Sequence, residues 1–237
     1  MRRTAAHTSE IKKIRSVLRH MYILEGNIGS GKSTFLKKIA AEHSLLKTAL
    51  EPVNIWADED DGKSLLQNFY TDTKRWALTF ETFAMQNRIQ DHLIYQQSEQ
   101  TLLVERSIYS GHYCFAKNSH QSGFISKLEW KIYLDIFNTL VSNTCRVPQG
   151  FIYLRVDPTI SYERARKRNR SAESSIPYEY IEHIHERHDD FLIKKLDISQ
   201  ELKNVPVIVI DCNDDFETNR AVFEKMSASI LQFIEHT

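Results

Sequence analysis

The sequence predicts an α/β fold with a five-stranded parallel sheet and helices on both of its faces. Two patterns along the 237 residues indicate it. Apolar, β-rich runs alternate with longer helical segments, and this alternation implies parallel strands joined by right-handed crossovers. Some of the runs, such as residues 205–210, are apolar almost throughout, as strands buried on both faces are.

The strands are predicted, in chain order, at residues 21–25, 45–50, 101–105, 150–155 and 205–211. Helices are predicted to begin near residue 32, to cover residues 72–97, 126–142, 158–167 and 177–195, and to continue from residue 216 onward. No repeat, low-complexity stretch or linker interrupts this series. Residues 21–237 are therefore predicted to form one domain.

The helix predicted at residues 126–142 has an apolar stripe at helical spacing, formed by Leu128, Ile132, Ile136 and Leu140. Such a stripe is typical of a helix face that is buried in the core. It is equally typical of one half of a subunit interface. The sequence leaves both interpretations open.

Composition excludes several function classes. Lys plus Arg and Asp plus Glu both number 31, which gives a formal net charge of zero. Nucleic-acid binders usually have a basic excess, so no nucleic-acid partner is expected. No apolar run approaches the ~18 residues of a membrane span, so no membrane association is expected. The three cysteines are widely spaced, which suggests neither a zinc site nor a redox pair and fits a reducing compartment.

The first twenty residues form a basic segment in which one acid, Glu10, faces six basic side chains: Arg2, Arg3, Lys12, Lys13, Arg15 and Arg19. Mitochondrial transit segments are rich in arginine and poor in acids. This segment is short, however, and leads directly into the first predicted strand. We interpret residues 1–20 as a solvated tail, with a transit segment as the alternative. The predicted localisation is accordingly cytoplasmic, with the mitochondrion as the alternative.

A phosphate-binding loop follows the first strand. The pattern G-x-x-x-x-G-K-[ST] is matched by Gly26, Asn27, Ile28, Gly29, Ser30, Gly31, Lys32 and Ser33, with Thr34 next. Glycines let backbone N–H groups turn toward phosphate oxygens, and the helix that follows adds a partial positive charge at its N-terminus. In this motif the lysine reaches the β- and γ-phosphates, and the hydroxyl side chain after it can hold Mg²⁺. The motif predicts binding of ATP or a similar nucleotide.

Charged side chains at the ends of two further strands indicate where the acceptor binds. Glu51 closes the second predicted strand, and Glu105 with Arg106 closes the third. Ligands of open α/β sheets bind outside the carboxyl ends of the strands. We therefore interpret Glu51 as a general base, Glu105 as a residue on the Mg²⁺ side, and Arg106 as a ligand of the acceptor hydroxyl or of the phosphate.

Four arginines alternate within residues 164–170: Arg164, Arg166, Arg168 and Arg170. On a helix they do not share one face, so a simple solvated stripe does not account for them. An arginine-rich lid over a triphosphate accounts for them better.

Together these motifs resemble the deoxynucleoside kinase family, which includes deoxycytidine, deoxyguanosine and mitochondrial thymidine kinases and the insect multisubstrate kinase. The resemblance extends from about residue 22 to residue 216, and several ordered motifs at matching separations carry it. It implies the P-loop kinase fold with an arginine-rich lid, ATP as phosphate donor, Mg²⁺ as cofactor and a homodimer formed through helices.

The resemblance also implies roles for individual residues. Glu51 would accept the proton of the 5′-hydroxyl, and Arg106 and Lys32 would act on the transferred phosphoryl group. Ser33 and Glu105 would serve Mg²⁺, and Tyr70 and Glu173 would hold the 3′-hydroxyl. The base would be enclosed by Trp56, Phe80 and Phe115. The loop that contacts adenine would include Asp211, Asp214 and Phe216.

One position departs from the family pattern. Family members usually have glutamine directly after the base-stacking phenylalanine, whereas this chain has Glu81. Arg88 follows seven residues later, and Gly111 stands where the deoxycytidine and deoxyguanosine kinases have an aspartate partner for that arginine. In one interpretation Glu81 and Arg88 pair with each other and shape the pocket. In the other, Glu81 accepts from a ring N–H while Arg88 donates to a neighbouring carbonyl, which favours deoxyguanosine or thymidine.

Two other functions are compatible with the P-loop. A nucleoside monophosphate kinase resembling thymidylate kinase shares the loop and the lid, but a glutamate base suits a neutral hydroxyl better than a phosphate. A nucleotide-binding module without catalysis is the second alternative, and the departure at Glu81 supports it. Turnover of deoxynucleosides, of monophosphates or of neither distinguishes the three.

Overall fold

The computed structural model describes residues 20–43, 46–53, 59–60, 63–170, 173 and 175–237, with backbone only at 59, 60 and 63. Of the predicted tail at residues 1–20, residues 1–19 lie outside the described residues, as does the predicted base contact Trp56. The division into a tail and a single domain therefore stays a prediction.

The sheet strands are β1 (Met21–Gly26), β2 (Lys47–Ala49), β5 (Leu102–Glu105), β6 (Gly150–Arg155) and β7 (Val207–Asp211). A two-stranded ribbon consists of β3 (Glu59–Asp60) and β4 (Lys63–Ser64). The helices are α1 (Lys32–Glu42), α2 (Leu65–Thr71), α3 (Thr73–Tyr95), α4 (Ile108–Ser110), α5 (Lys117–Gln121), α6 (Lys127–Thr144), α7 (Pro158–Arg168), α8 (Tyr178–His188), α9 (Gln200–Asn204) and α10 (Arg220–His236). Two π-helical turns cover Gly111–Ala116 and Asp189–Ile193.

The five sheet strands pair in parallel in the order β2-β5-β1-β6-β7. The predicted fold class is thus confirmed. β1 lies in the centre, where Leu24 is in register with Glu105 of β5 and Gly26 with Leu154 of β6. The loop after β1 and the charged residues after β5 therefore emerge side by side at one edge of the sheet.

Alternate side chains of β1 enter two separate cores. Tyr22 and Leu24 face the core formed with α1 and α10, whereas Ile23 faces the core formed with α3, α6 and α8. All three side chains are buried. Helices therefore cover both faces of the sheet, as continuous apolar strands require.

Three of the four side chains of the apolar stripe on α6 are exposed, so its interpretation as core is wrong for them, whereas Ile136 is partly buried and packs against the core. Leu128 is 70 % exposed, Ile132 49 % and Leu140 41 %. Tyr133 and Phe137, on another stripe, face the core instead, where Phe137 stacks on His112 with ring centroids 3.9 Å apart. Because these aromatic side chains occupy the side of α6 that packs against the core, most of the aliphatic stripe faces away from the core.

Several predicted boundaries differ from the structure, among them the strand predicted at 45–50, which covers Lys47–Ala49. The strand predicted at 205–211 begins at Val207, and the last helix begins at Arg220 instead of residue 216. The helix predicted at 177–195 changes to π-helical geometry at Asp189. Among the described residues, no helix has both the length and the apolar character that crossing a membrane demands.

Candidate active site

The phosphate loop, residues 26–34, has the backbone that its glycines predict. Gly29 and Gly31 adopt φ angles of 79° and 89°, which residues other than glycine rarely adopt. A Cβ at Gly29 would lie 2.1 Å from the carbonyl oxygen of Ser161, and one at Gly31 would lie 2.8 Å from the ring of Phe216. Both the conformation and the close packing therefore require glycine. We call this loop the phosphate end of the site.

Lys32 is turned onto its own loop. Its Nζ donates to the carbonyl oxygens of Gly26 at 3.1 Å and Asn27 at 2.8 Å. Burial and the charge of Arg106 lower the pKa of Lys32 to about 7, against the opposing charges of nearby carboxylates. A phosphate group bound here would add negative charge and favour the ammonium form.

Ser33 and Glu105, the two residues expected on the Mg²⁺ side, contact each other. The Ser33 hydroxyl donates to Oε1 of Glu105 at 2.8 Å, and Oε2 of Glu105 accepts from the backbone N–H of Glu51 at 3.3 Å. Hydroxyl and carboxylate oxygens are the hard ligands that Mg²⁺ prefers. The two side chains lie beside the phosphate loop, so this pair fits a Mg²⁺ site.

Two arginines bind the carboxylate of Glu51. Arg88 donates from Nη2 to Oε1 at 2.6 Å, and Arg106 donates from Nε to Oε2 at 3.1 Å. All three side chains are nearly buried, with 9 % of Glu51 exposed. Burial acts to raise the pKa of Glu51, but the charges of Arg106 and Arg88 outweigh it and lower the pKa to about 2. Glu51 is therefore ionised at neutral pH.

Arg106 has a strained backbone at φ 61°, which is uncommon for residues other than glycine and concentrates at functional sites. Its guanidinium lies 4.5 Å above the ring of Phe115. Its buried Nη1 has no hydrogen-bond partner among the described residues. This donor is thus available to a ligand in the site.

A cavity extends from the phosphate loop to α3. Eight side chains predicted to contact the nucleoside line it: Glu51, Tyr70, Phe80, Glu81, Arg88, Arg106, Phe115 and Glu173. Gly111 lies behind Arg88, where a Cβ would be 2.7 Å from Nη1 of that arginine. We call the part of the cavity formed by Glu51, Glu81, Arg88 and Arg106 the nucleoside end.

Glu81 is buried at the nucleoside end, where the Ser119 hydroxyl donates to its Oε1 at 3.2 Å. Burial raises the pKa of Glu81 to about 7, although Arg88, Ser119 and Arg106 act in the opposite direction. The side chain therefore changes its charge near neutral pH. The ion pair that Arg88 makes with Glu51 was not predicted.

The four arginines of the predicted lid divide into different environments. Arg168 and Arg170 both pair with the carboxylate of Glu173, and all three line the cavity. Arg166 lies with its guanidinium 5.7 Å from the ring centre of Tyr162. Arg164 donates to the backbone carbonyls of residues 212, 213 and 214 at 2.8 to 3.1 Å.

The predicted adenine loop borders an open cleft beside the phosphate loop, lined in part by Arg164, Arg168 and Phe216. The Phe216 ring is buried and packs edge-on against Phe35, so it anchors the predicted adenine loop to the hydrophobic core. The backbone carbonyl of Asp214 accepts from Arg164. Asp211 ends β7 and caps the backbone N–H of Asn213.

A family model described as deoxynucleoside kinase matches residues 22–235. The chain belongs to the deoxynucleoside kinase family. It is an enzyme, a kinase that phosphorylates deoxynucleosides.

Curated relatives of this deoxynucleoside kinase differ in the base that their names specify. A mitochondrial deoxyguanosine kinase of Xenopus laevis is 31 % identical, with 89 % of this chain and 88 % of the relative covered. Deoxycytidine kinase 2 of Gallus gallus is 33 % identical, with 89 % of each chain covered. The mitochondrial thymidine kinase 2 of Homo sapiens is 33 % identical, with 88 % of this chain and 76 % of the relative covered. The comparisons therefore leave the base preference open.

Two residues of this deoxynucleoside kinase that the sequence did not single out join the site. Glu25, directly before the phosphate loop, is fully buried and accepts from the Ser107 hydroxyl at 2.5 Å. Burial raises its pKa, against the charge of Arg106 and the bond from Ser107. Tyr180 lines the cavity and packs edge-on against Tyr70 at 6.0 Å. The signal in the sequence that could have identified Glu25 as a site residue is its position as a charged residue in a strand predicted to be buried.

Proposed function

We propose that this kinase transfers the γ-phosphoryl group of ATP to the 5′-hydroxyl of a deoxyribonucleoside, with Mg²⁺ as cofactor. The observation that carries the proposal is that Lys32 and Glu51 line the same cavity. A phosphate-binding lysine and an ionised carboxylate thus face one space. Phosphoryl transfer needs such positioning and charge neutralisation, because its transition state is loose.

Glu51 is proposed as the residue that accepts the hydroxyl proton. With a pKa of about 2, it stays ionised but is a weak base. Its main contribution is therefore a fixed hydrogen-bond acceptor that orients the 5′-hydroxyl and takes the proton as the new bond forms. Nη1 of Arg106 is the donor available for the transferred phosphoryl group.

Ser33 and Glu105 are proposed to hold the Mg²⁺. When bound, the ion neutralises the charge that develops on the phosphate oxygens. Lys32 and the lid arginines Arg168 and Arg170 supply further positive charge at the same edge. Tyr70 and Glu173 are proposed for the 3′-hydroxyl, because both line the cavity and the charge of Glu173 adds to the effect of burial in raising the pKa of Tyr70.

The proposed base preference is deoxyguanosine or thymidine. The ionised form of Glu81 only accepts hydrogen bonds, and both bases present a ring N–H beside a carbonyl. Arg88, which lines the same cavity, would donate to that carbonyl. A mismatched base leaves buried polar groups unpaired, which costs about 1–3 kcal/mol per group.

A homodimer is proposed through the exposed stripe of α6. Leu128, Ile132 and Leu140 are large apolar side chains that remain accessible in the single chain, and accessible apolar patches mark interaction surfaces. The compartment stays a prediction: cytoplasmic, with the mitochondrion as the alternative, since the names of two relatives include the word mitochondrial.

The test is phosphoryl transfer from ATP–Mg²⁺ to the four deoxynucleosides and, separately, to their monophosphates. We expect the wild-type chain to phosphorylate deoxynucleosides and Glu51→Gln to lower kcat by about 10²–10⁴-fold, because an amide cannot take the proton. Glu99→Gln makes the same change at an exposed position and is the matched control.

Each alternative predicts a different result in the same assay. Turnover of monophosphates alone would assign the chain to the chemistry of thymidylate kinase. ATP binding without turnover would indicate a non-catalytic module. Full activity of Glu51→Gln would remove Glu51 from the proposed mechanism while leaving the kinase assignment intact.

A further inference from the structure

The carboxylate of Glu51 is held from two directions. Arg106, after β5, binds one oxygen at 3.1 Å, and Arg88, on α3, binds the other at 2.6 Å. Each oxygen thus has its own guanidinium donor, and only 11 % of Arg88 and 5 % of Arg106 are exposed. Two donors on separate elements remove the rotational freedom that a single ion pair leaves to a carboxylate.

Gly111 provides the space that Arg88 occupies. A Cβ at this residue would lie 2.7 Å from Nη1 of Arg88 and 3.6 Å from its Cδ and Cζ. The backbone of Gly111 has φ −51° and ψ −47°, which every residue type adopts in a helix. Backbone conformation therefore does not demand glycine here. The missing side chain matters because it gives Arg88 room.

We propose that Arg88 is a positioning residue that fixes the carboxylate of Glu51 for the 5′-hydroxyl, and that Gly111 leaves the room that this arrangement of Arg88 uses. The inference rests on the proposed role of Glu51. Arg88 acts through Glu51, in addition to any contact that it makes with the base. Arg88, which lines the nucleoside end, thereby influences the position of the reacting hydroxyl through Glu51.

Replacement of Arg88 is expected to act mainly on kcat. We expect Arg88→Met to lower kcat by about 10- to 100-fold, since small misplacements of a reacting group have effects of that size. The KM for ATP should change less than about threefold, because the phosphate end is untouched. Arg88→Lys keeps the charge without the planar fork and should recover part of the loss. Arg75→Met, on the same helix but exposed, is the matched control.

Gly111→Ala tests the same idea with Arg88 still present. The added Cβ should push the guanidinium away from Glu51 and lower kcat in the same direction as Arg88→Met. Thermal melting and ATP binding of each variant show whether it is folded.

A double-mutant cycle with Glu51→Gln separates positioning from a structural or base-reading role. If Arg88 acts through Glu51, Arg88→Met should change kcat by less than about threefold in the Glu51→Gln background. Equal losses in both backgrounds would overturn the proposal, and so would a folded Gly111→Ala variant with wild-type kcat. Full activity of Glu51→Gln would overturn the proposed function and this inference together, whereas an inactive Glu51→Gln beside a fully active Arg88→Met would overturn this inference alone.

Discussion

The phosphate end and the nucleoside end of the site lie in one cavity, but one is formed by a continuous backbone segment and the other by side chains from distant parts of the sequence. The phosphate end is a single stretch of backbone, residues 26–34, whose shape depends on Gly29 and Gly31. The nucleoside end consists of side chains that come from different parts of the sequence, such as Glu51 and Arg106, which are 55 residues apart. One end is therefore shaped mainly by backbone conformation and the other by charged side chains.

This difference determines how each end responds to substitution. At the phosphate end, a Cβ at Gly29 would meet backbone, because it would approach the carbonyl oxygen of Ser161. Added or exchanged groups at the nucleoside end meet side chains that can adjust, such as Arg88 beside Gly111. We therefore expect changes at the phosphate end to abolish binding, and changes at the nucleoside end to alter selectivity and rate.

Among the changes that compare the two ends, the largest effect on binding is expected from Gly29→Ala. The new Cβ would lie 2.1 Å from a backbone oxygen, and φ 79° adds strain, so the loop has to move. We expect the Kd of ATP, measured by calorimetry, to rise by at least about 100-fold, or about 3 kcal/mol. Gly123 is the matched control, because it has φ 77° and no atom within 4 Å of the added Cβ. Near-normal ATP binding by Gly29→Ala would remove the distinction between the two ends.

A smaller effect is expected from pH at the nucleoside end, through Glu81. Because its pKa is raised to about 7, Glu81 is protonated below that pH and can donate, and it is ionised above that pH and only accepts. Deoxycytidine presents a ring nitrogen that needs a donor, whereas thymidine presents a ring N–H that needs an acceptor. The ratio of kcat/KM for thymidine to that for deoxycytidine should therefore rise about tenfold as pH increases through about 7.

Glu81→Gln is the control for this pH dependence. Its amide resembles protonated Glu81 in that it both donates and accepts, so the ratio should favour deoxycytidine and stay constant with pH. Taking the ratio within one enzyme cancels the titration of ATP and of Glu51. A wild-type ratio that does not change between about pH 6 and about pH 8 would contradict the role of Glu81 in reading the base.

The smallest effect is expected from Arg164→Met. The guanidinium supports three consecutive backbone carbonyls next to the cleft at the phosphate end. Its loss should loosen that loop and raise the KM for ATP by about three- to tenfold, with kcat within about twofold of wild type. Arg220→Met, which removes an exposed arginine paired with Glu224, should leave both constants unchanged. A fall in kcat with an unchanged KM would instead assign Arg164 to the transferred phosphate.

The sequence alone determined the fold class, the phosphate end and the family. Both the buried strands and the phosphate loop can be recognised from residues adjacent in the chain. A continuous apolar run predicts a strand buried on both faces, and Gly29 and Gly31 predict the turn of the loop. The strands at residues 21–25 and 101–105 were predicted to within one residue for the same reason. Glu51, Glu105 and Arg106 could be named because they directly follow such strands.

Tertiary structure alone decided which charged groups meet. The pair of Arg88 with Glu51 joins residues 37 apart, and the bond of Ser107 to Glu25 joins residues 82 apart. The exposed stripe of α6 was likewise decided by which face the aromatic side chains filled. The periodicity of a helix predicts which residues share a face, but not what that face packs against. In the same way, the sequence shows which residues are charged, but not which of them form ion pairs. The packing partners and the ion pairs depend on how elements distant in the sequence come together.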